Sequence, residues 1–153
     1  MMDRDQIDKI AWQTIHSRPP RPIGSARGLR SLDYRQLDER LRAGVDFEHA
    51  WSDFLHAFYN FRTASFFIYP SPPFLNVRWQ ALLAGAAEWL SAEFDLPHPT
   101  WTDAPRYFLP EPWDPVEDLG LDMSEFIADK MARSPEAFRK RNIAFLSRNL
   151  ISL

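Results

Sequence analysis

Apolar positions recur at helical spacing along most of the chain, and the pattern predicts a mainly helical protein. In residues 3–17, Ile7, Ile10, Ala11 and Ile15 fall on one helical face, with Trp12 and Thr14 on its flanks. A second helix is predicted over 33–43, carried by Tyr34, Leu37 and Leu41 and stopped by Gly44. The third is the clearest. Asp46 is placed to cap it, and Phe47, Ala50, Trp51, Phe54, Leu55, Phe58 and Tyr59 form one broad apolar face ending near Arg62. A fourth spans about 76–94, with Trp79, Leu82, Leu83, Ala86, Ala87, Leu90 and Phe94 inward. Its Ala84-Gly85-Ala86 stretch permits close approach of a neighbour. A fifth, about 122–133, turns Met123, Phe126, Ile127 and Met131 inward.

The last helical segment is a short turn over 135–141. Ser134 is placed as its N-cap, Pro135 at its first position, and Glu136 where the helix dipole favours a carboxylate. Phe138 then points inward, ahead of a basic knot, Arg139-Lys140-Arg141, and an apolar tail through Ile143, Phe145 and Leu146. Ser147 is able to cap a final turn.

Between these elements proline breaks the pattern. Residues 18–28 hold three prolines and two glycines and form an irregular connector. The run Pro70-Ser-Pro-Pro73 stops the segment 63–69, which reads equally as strand or helix tail, as does 143–146. The stretch 95–111 is proline-punctuated, with a short helix predicted at 105–109. The expected architecture is all-α: residues 1–30 give an N-terminal helix and Pro-rich connector, and 31–153 a helical core domain. In total, five to six helices form a single compact domain with long Pro-rich connections.

Composition narrows the function classes. The 153 residues include six Trp and twelve Phe, ample for a core and for contact surfaces. The absence of cysteine removes disulfides, thiolate metal sites and a Cys nucleophile. Met1-Met2-Asp3-Arg4-Asp5 opens no apolar signal segment, and Glu88 interrupts the longest apolar run; the expected location is therefore cytoplasmic, with no membrane. The net charge of −3 is unevenly spread. Residues 1–45 carry nine basic and six acidic side chains, 46–130 four and fourteen, and 131–153 five and one. Either the basic ends attract the acidic body of one fold, or the body offers an acidic face to a basic partner. Direct nucleic-acid binding is not expected, because it needs a coherent basic surface.

No reaction chemistry assembles. His49, Asp53 and His56, with Asp46 a turn earlier, stripe one helix face, but a stripe along one helix does not converge on an ion without ligands from elsewhere. Glu111, Asp114, Glu117, Asp118 and Asp122 lack calcium-loop spacing and any phosphate loop, and no serine sits in a nucleophile elbow. The expectation is thus a non-enzymatic protein-binding module without catalytic residue, metal or cofactor. The alternatives are a cation-dependent enzyme using the acidic 111–122 loop and a homo-oligomeric adaptor.

Five short motifs occur in order: Asp46-Phe47-x-x-Ala50-x-x-x-Phe54-Leu55-x-x-Phe58-Tyr59; Trp79 to Leu90 after a Pro-Pro pair; Leu96-Pro-x-Pro-x-Trp101; Phe108-Leu-x-x-x-Trp113; and Ser134-Pro-x-x-Phe138-Arg-x-Arg141-Asn-Ile143. Across about 36–153 this order resembles the region after the helix-turn-helix in bacterial antitoxin-like regulators paired with nucleotidyltransferase-like toxins. Two departures stand out. The helix-turn-helix is missing from the Pro-rich first 30 residues, and Phe54-Leu55-His56 stands where that family usually reads Phe-Leu-Asp. The resemblance implies binding of a toxin rather than of an operator. Trp101, Tyr107 and Trp113 lie in Pro-rich loops, where they either staple the loop to the core or anchor a partner. With Phe138, Arg139, Lys140 and Arg141 they are the candidate partner-binding residues.

Overall fold

A computed structural model describes residues 33–73, 75–118 and 127–150. The expected helix at 3–17, the connector that follows it, and the side chains of Met123 and Phe126 lie outside the described residues. The chain is all-α. Its helices are α1 (Tyr34–Arg42), α2 (Phe47–Phe61), α3 (Val77–Glu93), α4 (Pro115–Asp118), α5 (Ile127–Arg133) and α6 (Glu136–Arg139), with 3₁₀ turns at Ala64–Phe67, Thr100–Asp103, Pro105–Tyr107 and Ser147–Leu150.

Local chemistry sets the long helices. Asp33 accepts the Gln36 amide at 3.0 Å while the Gln36 side chain accepts the Asp33 amide, a reciprocal cap that starts α1. Asp46 caps α2 through the His49 amide, and Asn76 caps α3 through the Trp79 amide. Gly44, at φ +95°, ends the α1 region in a conformation that other residues resist. Arg62 ends α2 at φ 50°, also left-handed. Its Nε donates to the Tyr59 carbonyl at 2.8 Å, which offsets that conformational cost.

The core is built on rings and small residues. Tyr34 packs on Phe54, Phe67 and Trp101 with centroids 5.0, 5.5 and 6.0 Å away, and its hydroxyl donates to the Leu83 carbonyl. Phe54 and Phe58 meet Phe66 edge-on. Helix α3 runs through the middle and is buried on all sides from Ala81 to Ala87, so its apolar residues encircle it rather than forming a stripe. Small side chains let its neighbours close in: Phe138 of α6 lies directly over Gly85. The two uncertain segments resolve without a strand. Residues 64–67 form a 3₁₀ turn that buries Phe66 and Phe67, and Ile143 makes an isolated parallel bridge to Trp113.

Two expectations need correction. Ile127 is 37% exposed, not inward, and Lys130 takes the interior of α5 instead. Ser134 does not cap α6. Its hydroxyl donates to the Lys130 carbonyl at 2.7 Å and accepts the Phe145 amide at 2.9 Å, tying α5 to the apolar tail. A tertiary partner outcompetes the helix end for that oxygen.

Candidate functional site

The basic knot after α6 folds back against α3. Arg141 is fully buried and forms the hub. Its Nη1 donates to the Ala137 carbonyl at 2.6 Å and to Glu88 at 3.3 Å, and its Nη2 donates to the Thr102 carbonyl at 2.7 Å. The guanidinium carbon lies 4.7 Å from the ring centroid of Phe108, which stays 37% exposed. The Arg141 backbone carbonyl accepts the Leu109 amide at 3.1 Å, and Asn142 accepts the Trp113 amide at 2.9 Å. One residue thereby joins α3, α6 and the loop from Thr100 to Trp113.

Glu88 is held between two cations, with Lys140 Nζ 2.7 Å from its Oε1 and Arg141 on its Oε2. Beside it the Thr100–Asp103 turn brings His98 Nε2 within 2.9 Å of Asp103 Oδ2. That hydrogen bond holds the Asp103 carboxyl below its usual range, aided by the charges of His98, Lys140 and Arg141. One ligand atom each from Glu88, His98 and Asp103 lies within 4.8 Å of the others. Thr102 uses its hydroxyl on the Pro99 carbonyl at 2.7 Å, which makes it a turn-former rather than a nucleophile beside His98.

The sequence-derived anchors divide by burial. Tyr107, Trp113, Phe138 and Arg141 are interior. Tyr107 meets Trp101 edge-on and accepts from Arg106 Nη2, Trp113 meets Trp79 edge-on at 5.0 Å, and Phe138 packs on Gly85 and Phe145. These four hold the fold. Trp101 is half-buried, its Nε1 donating to the Phe67 carbonyl at 2.7 Å, while Arg139 and Lys140 are exposed. Phe108, Glu88, His98 and Asp103 complete this surface and were not among the sequence candidates. Glu88, His98 and Asp103 come from α3 and an irregular turn, a spacing no motif encodes.

The other clusters are used structurally. Asp53 pairs with Arg40 of α1 at 2.8 Å and His49 Nδ1 lies 2.6 Å from Asp46 at the start of α2, so that stripe ties α1 to α2 and caps a helix. Asp114 accepts Lys130 Nζ at 2.9 Å and the Val116 amide at 3.0 Å, with 9% and 5% of the two side chains exposed. An ammonium therefore already occupies the best-placed carboxylate of the acidic loop. Glu111 is exposed, and the side chains of Glu117, Asp118 and Asp122 lie outside the described residues. No helix among the described residues is long and apolar enough to cross a membrane. Comparison with family models, curated proteins and solved structures gives no significant match.

Proposed function

We propose that this chain is a non-enzymatic protein-binding module that meets its partner through the surface over Arg141. Exposed Phe108, Arg139 and Lys140 and half-buried Trp101 form the contact set. The observation that carries the reading is Phe108. A large aromatic ring is exposed, yet its face rests on a buried guanidinium held by three hydrogen bonds, so contact costs little ordering of the ring. Aromatic and Arg anchors of this kind concentrate interface energy, and Arg139 and Lys140 favour a partner with an acidic rim. The motif order described above favours a nucleotidyltransferase-like toxin as that partner, with the chain acting as the antitoxin-like factor that neutralises it. Blocking such a toxin's groove takes an interface of roughly 1,600 Å² in total.

Co-expression with the product of the adjacent gene tests this. The expected result is growth rescue and a co-purifying complex, with Phe108→Ala and Arg139→Glu each weakening binding at least about tenfold at unchanged melting temperature. A neighbouring product that is harmless alone, or that stays toxic when both are expressed, removes the neutralisation reading. Binding undiminished by both substitutions moves the contact surface elsewhere.

A further inference from the structure

We infer that Glu88, His98 and Asp103 form a binding site for a single zinc ion, in competition with the Lys140 ammonium. The inference is independent of any protein partner. The donors are one imidazole and two carboxylates, a borderline set that suits Zn²⁺ better than Mg²⁺. His98 Nε2 and Asp103 Oδ2 are 2.9 Å apart. Two ligands of an ion bound at about 2.0–2.1 Å are separated by about 2.9–3.4 Å when their angle is tetrahedral or a right angle, so this pair is already spaced to chelate. Glu88 lies within 4.8 Å of both, on a rigid and buried helix.

The fold already places a cation here, which the ion must displace: Lys140 Nζ sits 2.7 Å from Glu88 Oε1. Lys140 is partly exposed and reaches water when displaced, whereas Arg141 is buried and keeps Glu88 Oε2 oriented from behind. Zinc would thus release the ammonium from Glu88 and add positive charge to the α6 surface. The neighbouring guanidinium opposes the ion, which makes this a weak, exchangeable site rather than a structural one.

The test uses the full chain, free of any affinity tag, in isothermal titration with ZnCl₂ and with MgCl₂ as control. The expected result is saturable binding of one zinc, weakened at least about tenfold by His98→Ala and by Asp103→Asn. The critical variant is Lys140→Met. Removing the competing ammonium is expected to tighten zinc about tenfold, while a merely structural role for Lys140 predicts no gain. His98 and Asp103 are exposed, so circular dichroism should be unchanged in each variant. Absence of saturable binding, stoichiometric binding that survives His98→Ala, or zinc binding not tightened by Lys140→Met would each overturn the inference.

Discussion

Replacing Gly85 by alanine tests the packing of α6 on α3. In an ordinary helix interior this change stabilises by about 0.8–1.0 kcal/mol, because glycine has the larger backbone entropy to lose. Here an added Cβ would meet Phe138 Cδ1 at 2.8 Å, Cε1 at 3.0 Å and the Ala137 carbonyl oxygen at 3.3 Å. Neither neighbour has room to yield. The Phe138 ring is fully buried, with Phe145 centred 5.2 Å away, and the Ala137 carbonyl is held by Arg141 Nη1 at 2.6 Å. Overpacking costs about 1–3 kcal/mol, and a 2.8 Å contact with a packed ring puts this site in the upper part of that range, about 2–3 kcal/mol; less the propensity gain, the net loss is about 1–2 kcal/mol. Urea unfolding with an unchanged m value measures it, and the melting temperature should fall by about 2–8 °C. Adding Phe138→Leu in the Gly85→Ala background should recover part of the loss, giving a favourable coupling in a double-mutant cycle. A Gly85→Ala protein stabilised like any helix glycine variant would show that α6 does not sit on Gly85, and the geometry of the candidate surface would go with it.

Asp114→Ala strands the buried Lys130 ammonium and should cost about 3–5 kcal/mol in urea unfolding, while Asp114→Leu with Lys130→Met should recover most of it. Arg141→Lys cannot serve the Ala137 and Thr102 carbonyls and the Glu88 carboxylate together; a loss of about 1.5–3 kcal/mol is expected, and a neutral result would deny the hub. The α2 cap predicts a pH window. Its backbone and ring hydrogen bonds from His49 hold Asp46 below its ordinary 3.8, and the Asp46 carboxylate holds His49 above its ordinary 6.5. The Asp46 contribution is complete above 3.8 and is lost as pH falls through its lower folded value; that of His49 is complete below 6.5 and is lost as pH rises through its higher folded value. The cap is therefore strongest between those limits, and Asp46→Asn should lower the His49 midpoint in an NMR titration; an unmoved midpoint would refute the pairing.

What the sequence made legible was what short-range chemistry decides. Asp33, Asp46 and Asn76 cap within three residues of themselves, so α1, α2 and α3 start close to where their side-chain types place them. Elsewhere a distant partner decides. Ser134 looks like a helix cap until Phe145, eleven residues on, claims its oxygen. Lys130 reads as a solvent-facing lysine until Asp114, sixteen residues back, makes its burial tolerable and turns Ile127 outward. The apolar run 63–69 does not become a strand because Phe66 and Phe67 find the α2 rings by a tight turn, leaving Ile68 67% exposed. Nothing along the chain could have gathered Glu88, His98 and Asp103, since the folding of the irregular 98–103 segment back against α3 brings them together.

The motif residues behave differently once placed. Phe54 and Phe58 build the ring cluster, Trp79 and Trp113 meet edge-on, Phe138 covers Gly85, and Arg141 joins three segments. Each has a structural reason to be where it is, so their order speaks first of a frame. Phe108 and Arg139 belong to the same motifs but are exposed, and burial does not explain them. If the frame alone accounts for the motifs, polar replacements at these two positions leave both stability and binding intact. If the frame exists to present them, the same replacements spare stability and abolish binding. Measuring the melting temperature and complex formation on one Phe108→Ser, Arg139→Glu protein therefore separates motifs that serve folding from motifs that present a surface for recognition.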